Sequence, residues 1–146
     1  MGLLTATKIS FYKYHGAAND FVLVDCIDEN HFFSKHQIQT ICHRKHGVGA
    51  DGLIIVRFSV KAHAKMRFFN QDGSEAALCG NGLRCVASYL MQKYNVQSCL
   101  VESYSGIHKC FIYKGEIAVQ IFHKVWIFIM YINTHGFIKI QIPLIT

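Results

Sequence analysis

Residues 70–84 read Asn70-Gln-Asp-Gly-Ser-Glu-Ala-Ala-Leu-Cys79-Gly-Asn-Gly-Leu-Arg84, and this stretch decides how the rest of the chain is organised. Its pattern predicts the end of a strand, a polar loop and then a helix that starts close to Cys79. Asn81 is of a residue type preferred at helix N-termini, and we predict that it is the N-cap. Apolar residues then recur at helical spacing as far as a helix end near Asn95: Leu83, Val86, Ala87, Leu90, Met91 and Tyr94.

Cys79 occupies a chemically significant place in this pattern. The unpaired N–H groups and the positive dipole end of a helix N-terminus favour a thiolate over a thiol. Such surroundings lower a cysteine pKa from about 8.5 into a range of roughly 3.5–7.5. A free cysteine is more often a small buried apolar residue, but Gly80 and Gly82 on either side of Asn81 argue against simple packing. The pattern therefore predicts a reactive thiol at position 79.

Composition restricts the class of protein. A length of 146 residues with 51% hydrophobic and 16% charged residues is typical of one domain with its own core. The formal net charge is +6, but the densest basic cluster, residues 43–46, is accompanied by no nucleic-acid-binding motif. We expect a basic face near an anionic small-molecule site and no nucleic-acid partner. The apolar run at residues 125–132 is shorter than the roughly 20 residues of a membrane span, so we expect no membrane partner.

Six cysteines raise the question of disulfides or metal binding. Residues 1–8 contain no apolar core of signal-peptide length, so we expect free thiols in the cytoplasm. Cys42, His43 and His46 lie close in sequence, but no second ligand pair follows at zinc-finger spacing. We therefore predict no metal site.

Strand and helix patterns alternate along the chain. Ser34 and Gln37 form a capping box, which predicts a helix with Ile38, Ile41 and Cys42 buried and Gly47 as its C′ residue. We predict a loop at residues 16–20. The predicted strands are residues 8–15, 21–25, 53–58, 64–70, 98–102, 108–114 and 117–121. This order favours an α+β fold in which a mixed or antiparallel sheet packs on a central helix.

A glycine-rich segment, Gly47-Val-Gly-Ala-Asp-Gly52, matches G-x-G-x-x-G by letter. The dinucleotide-binding fingerprint requires a strand before these glycines and a helix after them. Here the predicted helix comes first and the strand follows. The segment therefore indicates a tight backbone turn rather than a nucleotide site, and we expect no cofactor there.

Residues 122–146 differ in composition from the preceding sequence. They contain no acidic residue and include the only Trp and the only Pro of the chain. We hypothesise that a shifted reading frame or an early stop produced this tail, which reading the nucleotide sequence in the other two frames would test.

Four blocks of the sequence together resemble the signature segments of diaminopimelate epimerases. They are His15-Gly-Ala-Ala-Asn-Asp-Phe21, His46-Gly-Val-Gly-Ala-Asp-Gly52, Phe69-Asn-Gln-Asp-Gly-Ser-Glu75 and Cys79-Gly-Asn-Gly-Leu-Arg-Cys85. The resemblance covers about residues 8–121. It implies one of two pseudosymmetric domains, each a curved sheet around a central helix. It also implies a pyridoxal-independent isomerase of lysine and peptidoglycan biosynthesis that interconverts LL- and meso-diaminopimelate, commonly as a cytoplasmic homodimer.

The resemblance also implies roles for particular residues. Cys79 is one of two cysteines that exchange the α-proton of the substrate, and the backbone N–H groups of Gly80 and Asn81 bind the reacting carboxylate. Asn19 and Asn70 bind the polar groups at the distal end of the substrate. The alternative for both asparagines is a turn-forming role without substrate contact.

The second proton-transfer cysteine of the family has no counterpart in this sequence. Family members place it in a C-terminal domain, in a Gly-Cys-Gly loop that is absent here. Cys85 lies about 9 Å further along the same helix, so we assign it to helix packing. We thus expect an N-terminal domain at residues 1–121, a tail at 122–146, no C-terminal domain, and no epimerase activity for this chain alone. The alternatives are a non-catalytic half-domain that binds an amino acid or a partner, and a related proline racemase-like isomerase.

Overall fold

The computed structural model describes residues 8–120 and, for the backbone, residues 138–143. In chain order the elements are β1 Lys8–Gly16, β2 Asn19–Cys26, α1 Lys35–Cys42, β3 Gly52–Arg57, β4 Ala64–Asn70, β5 Glu75–Ala76, α2 Gly80–Tyr94, β6 Ser98–Ser103, β7 Gly106–Tyr113, β8 Glu116–Gln120 and β9 Ile138–Pro143. The predicted tail at 122–146 lies outside the described residues, apart from the β9 backbone, which pairs antiparallel with β1.

The described strands form one mixed sheet in the order β8-β7-β6-β4-β3-β2-β1-β9, with β5 paired to β4. Two neighbouring pairs are parallel, β2 with β3 and β4 with β6, and the other pairs are antiparallel. Parallel neighbours need a crossover connection. Helix α1 lies in the connection from β2 to β3, and α2 lies in the connection from β4 to β6. This arrangement confirms the predicted α+β class.

Strands β2 and β3 each have four consecutive buried apolar residues, 21–24 and 53–56, because both faces of the sheet are covered there. On β3, Ile54 and Val56 join the core cluster with α2, whereas Leu53 and Ile55 join the cluster with α1. Strand side chains alternate between faces, so successive residues of β3 serve the two cores in turn. The uninterrupted apolar pattern that predicted β2 and β3 thus reflects two-sided burial.

Helix α2 is the element around which the sheet curves. It contacts β1 and β8, which are six positions apart in the strand order, as well as β2, β4, β6 and β7 between them. Only a sheet wrapped around the helix brings strands so far apart against one helix. Leu83, Val86, Ala87, Leu90 and Met91 are buried as predicted. Tyr94, predicted to belong to this stripe, is 44% exposed because it lies in the last turn.

Helix α1 begins as predicted and ends differently. Ser34 is its N-cap, and the capping box with Gln37 is present. Ile38, Ile41 and Cys42 are buried as predicted. The assignment of Gly47 as the C′ residue was wrong, because the helix ends at Cys42 and His43 is an extended C-cap. The Gly47 N–H instead bonds to the carbonyl of His43, in a separate turn.

The predicted loop at residues 16–20 is shorter than expected. Asn19 and Asp20 belong to β2, where they pair with Gly16 and His15 of β1. Only two residues connect the strands, and both have left-handed backbones, with φ of 48° at Ala17 and 69° at Ala18. A two-residue hairpin with positive φ at both positions is a type I′ connection.

No helix in the described part of the chain has the length and apolar character to cross a membrane.

Candidate functional site

Cys79 is the N-cap of α2, so the prediction that Asn81 caps the helix was wrong. Its backbone is extended, and its Sγ accepts a hydrogen bond from the N–H of Gly82 at 3.3 Å. Its carbonyl accepts from the N–H of Leu83 at 2.8 Å, the first helical bond. The thiol therefore lies directly on the first turn, where backbone N–H groups have no partner further back in the helix.

Glycine at position 82 permits this close approach. A Cβ at that position would lie 3.4 Å from the Cys79 Sγ and 3.3 Å from Cδ1 of Ile54 on β3. A side chain there would press on both neighbours, because such distances are tighter than or at the limit of ordinary van der Waals contact. Because Gly82 has no side chain, the Cys79 Sγ can lie against the first turn of α2 while α2 packs on β3.

The electrostatics of Cys79 differ from the sequence-based expectation. Burial raises the pKa of the thiol, and the N–H groups of Gly82 and Asn81 and the charge of Arg84 oppose that rise. Burial is the largest of these effects, so the expected lowering of the pKa was wrong for this structure. Burial therefore favours the thiol form of Cys79, while donors and a positive charge are arranged to receive the thiolate when it forms.

Asn19 lies beside this helix end. The Asn81 side chain donates from Nδ2 to Oδ1 of Asn19 at 2.7 Å, and Arg84 donates from Nη2 to Oδ1 of Asn81. Asn19 in turn donates from Nδ2 to Oδ2 of Asp51 at 3.3 Å. Four of the predicted site residues, Cys79, Gly80, Asn81 and Asn19, thus lie together.

Asn70 is the last residue of β4 and lies at the same end of the neighbouring strands as Asn19. It pairs with Gly52 of β3, which pairs with Phe21 of β2, two residues after Asn19. Its side-chain Nδ2 donates to Oγ of Ser74 at 3.0 Å, and its backbone N–H bonds to the carbonyl of the same serine. In this structure the side chain and the backbone of Asn70 both bond to Ser74 within its own turn.

An ion-pair cluster adjoins the site, and the sequence analysis missed it. Arg44 donates to both carboxylate oxygens of Asp20, at 2.9 and 2.8 Å, and to Asp51 at 2.9 Å. Lys13 donates to Asp20 at 2.7 Å. Hydrogen bonds from Arg44 and then Lys13 hold the pKa of Asp20 well below its usual range. The basic run at residues 43–46 was the signal in the sequence for a charged cluster. The sequence alone did not identify Asp20 as a partner of Arg44, because 24 positions separate the two residues.

The remaining cysteines are unlike Cys79. All six cysteines are free thiols, and five are buried: Cys26, Cys42, Cys85, Cys99 and Cys110. Burial raises the pKa of Cys85 to about 12, which suits the packing role assigned to it. Within residues 8–120, no group of three or more His, Cys, Asp or Glu side chains is arranged to hold a metal ion.

Solved structures share this fold. A phenazine biosynthesis protein of the PhzF family from Bacillus anthracis superposes with a TM-score of 0.58 at 23% identity, over 77% of this chain and 40% of its own. A hydroxyproline epimerase from Agrobacterium vitis, solved with trans-4-OH-L-proline, gives a TM-score of 0.57 at 10% identity, over 80% of this chain and 42% of its own. The fold is thus one that phenazine biosynthesis proteins of the PhzF family share with a hydroxyproline epimerase.

Sequence comparison identifies the family within that class. The family model described as diaminopimelate epimerase matches residues 11–121. A diaminopimelate epimerase from Carboxydothermus hydrogenoformans is 46% identical over 106 residues, which are 69% of this chain and 39% of the relative. The chain belongs to the diaminopimelate epimerase family, a family of isomerases. It spans about two fifths of the length of this relative.

Proposed function

We propose that these residues form one proton-transfer half of a diaminopimelate epimerase, in which Cys79 exchanges a proton with the α-carbon of LL- or meso-diaminopimelate. The observation that carries the proposal is the position of Cys79 as the N-cap of α2, with its Sγ on the first-turn N–H groups. This geometry places a proton donor and an anion-binding helix end side by side.

The chemistry requires both features. Removal of the α-proton leaves an electron pair that delocalises into the substrate carboxylate, so negative charge develops on the carboxylate oxygens. Donors aimed at those oxygens stabilise the charge, and the N–H groups of Gly80 and Asn81 at the start of α2 supply them in this proposal. Reprotonation from the opposite face inverts the carbon, and no electron leaves the substrate. The cycle therefore balances with one acid and one base and no redox partner.

The protonation state of Cys79 assigns it one part of that cycle. A two-group epimerase begins each turnover with one group protonated and the other deprotonated. Since burial raises the pKa of Cys79, we propose that it begins as the acid and delivers its proton to the carbanion. The thiolate left behind is stabilised by the N–H of Gly82 and acts as the base in the reverse direction.

Asn19 and Asn70 are proposed to bind the distal polar end of the substrate. Both lie at the same edge of the sheet, and Asn19 is tied to Asn81 of the first turn at 2.7 Å. In this proposal the second amino-acid end of the substrate supplies the polar groups that these amides bind, and an amino acid with an apolar side chain lacks them.

The second proton-transfer group lies outside the described residues in this proposal. The other five cysteines are buried, and Cys85 is on the same helix as Cys79. As for the family, we propose pyridoxal-independent catalysis in the cytoplasm, in lysine and peptidoglycan-precursor synthesis, by a homodimer.

One alternative is distinguished by proton exchange at the substrate and the other by binding. A half-domain that binds an amino acid without catalysis is favoured by the single accessible cysteine, and a proline racemase-like activity by the shared fold. Calorimetric titration with diaminopimelate and with proline tests the substrate class. We expect diaminopimelate to bind at least about tenfold more tightly, a difference of roughly 1.4 kcal/mol, with the preference lost in Asn19→Ala. Tighter binding of proline, or no binding of either, would contradict the proposal.

A further inference from the structure

Arg84 is buried more deeply than an arginine usually is. It is 3% exposed, on α2, five residues after Cys79. Charged side chains are almost never fully buried unless they are paired with an opposite charge. Within the described residues, however, no ion pair includes Arg84, and its Nε has no hydrogen-bond partner although it is buried. The nearest carboxylate along the hydrogen-bond chain, Asp51, is paired with Arg44.

The hydrogen bond that Arg84 makes leads directly to the proposed site. Its Nη2 donates to Oδ1 of Asn81, whose Nδ2 donates to Oδ1 of Asn19 at 2.7 Å. The Nδ2 of Asn19 then donates to Asp51 at 3.3 Å. A guanidinium can only donate and an ionised carboxylate can only accept. Arg84 at one end of this series of hydrogen bonds and Asp51 at the other therefore fix the orientation of the Asn81 and Asn19 side-chain amides.

The positive charge of Arg84 also acts on the thiols near it. Arg84 and Cys79 interact electrostatically, and so do Arg84 and Cys85. Other titratable groups near this part of α2 include Cys85 on the helix itself, Tyr14 on β1, and Asp51 with its partners Asp20 and Arg44. Burial raises the pKa of Cys85 to about 12 and also raises the pKa of Tyr14, so both are neutral at neutral pH. Cys79 is thus the group whose ionisation the unpaired charge can favour.

We propose that Arg84 is a positioning residue of the Cys79 site. Its buried guanidinium holds the amides of Asn81 and Asn19 in one orientation and supplies the fixed positive charge that stabilises the Cys79 thiolate. This inference rests on the proposed function, because it assigns to Arg84 the support of the thiol that transfers the proton.

The test is the pH dependence of Cys79 alkylation by iodoacetamide, measured by mass spectrometry in the folded protein. Only the thiolate reacts, so the pH midpoint of the rate reports the ionisation of Cys79. We expect Arg84→Gln to raise the midpoint by about one unit, which slows alkylation at pH 7 about tenfold. Arg84→Lys keeps the charge and is expected to stay within about 0.3 unit of the unmodified protein.

Arg57→Gln is the matched control, because Arg57 also has a buried Nε without a partner but lies on β3, bonded to Asn30 and to the carbonyl of His31. An unchanged midpoint in folded Arg84→Gln, or an equal shift in Arg57→Gln, would overturn the inference. If Arg84→Gln does not fold, the Arg84→Lys variant provides the test. A rise of one unit in its alkylation midpoint, with the positive charge retained, would contradict the role of that charge. If Cys79 of the unmodified protein is no more reactive than the five buried thiols, the proposed function itself fails.

Discussion

At the scale of single residues, Cys79 is subject to two opposing effects. The first-turn N–H groups and Arg84 favour its thiolate, and burial favours its thiol. The sequence shows the first effect, since glycines and an asparagine after a cysteine indicate a helix start. It does not show the second, because the depth of burial is set by the strands that curve around α2. The direction of the pKa shift was therefore predicted wrongly, although the position of the thiol was predicted well.

Gly52 gives a prediction at this scale. A Cβ there would lie 2.5 Å from the Phe68 ring and 2.6 Å from the carbonyl oxygen of Phe69, both on the neighbouring strand. We expect Gly52→Ala to lower the free energy of unfolding by about 1–3 kcal/mol, measured by urea denaturation. Gly115→Asn is the control, because a Cβ at Gly115 meets nothing within 4 Å and asparagine tolerates its φ of 80°. Equal stability of the two variants would contradict the packing account.

At the scale of elements, the sequence predicted best where the signal was local. The Ser34–Gln37 capping box and strand Ala64–Asn70 were predicted as observed because their patterns are complete within a few residues. Strand β5 was missed because two residues carry no periodicity, and the pairing of Arg44 with Asp20 was missed because 24 positions separate them. Asn81 was chosen as N-cap because residue preferences rank asparagine highly, whereas here a cysteine sulfur accepts the bond.

The β1–β2 hairpin gives a prediction about an element. Its turn residues Ala17 and Ala18 are exposed, with positive φ, a region that costs a residue with a Cβ roughly 1–2 kcal/mol. Type I′ turns prefer Asn-Gly. We expect the double variant Ala17→Asn, Ala18→Gly to raise the free energy of unfolding by about 1 kcal/mol in urea denaturation. Unchanged or lower stability would show that the turn has a different backbone from the one described here.

At the scale of the whole molecule, the proposed site joins three parts of the chain. The β1–β2 hairpin contributes Asn19 and Asp20, the loop before β3 contributes Arg44 and Asp51, and α2 contributes Cys79 with its first turn. Charged hydrogen bonds connect the first two parts, and the amide of Asn81 connects the hairpin to the helix. The fold class followed from the order of local patterns, but this convergence depends on the curvature of the sheet.

The Asp20 cluster predicts how stability depends on pH. Arg44 and Lys13 lower the folded-state pKa of Asp20 below its unfolded value of about 3.9. Its contribution is therefore fully present above about pH 4 and is lost as the pH falls through the folded-state pKa. We expect the stability difference between the unmodified protein and Asp20→Asn to be constant between pH 6 and about pH 5 and to shrink as the pH falls from about 4 to 2. A constant difference, or the same trend in the exposed control Asp28→Asn, would contradict this.

The central claim is that the described residues carry one of the two proton-transfer groups of a diaminopimelate epimerase. The most direct test is to incubate the chain separately with LL- and with meso-diaminopimelate in D2O and to follow both deuterium at the α-carbon, by NMR, and configuration, by chiral chromatography. We predict deuterium exchange without inversion in the diastereomer whose α-proton faces the Cys79 sulfur, lost in Cys79→Ser and retained in Cys85→Ser. Inversion by this chain alone, no exchange at all, or exchange that survives Cys79→Ser would contradict it.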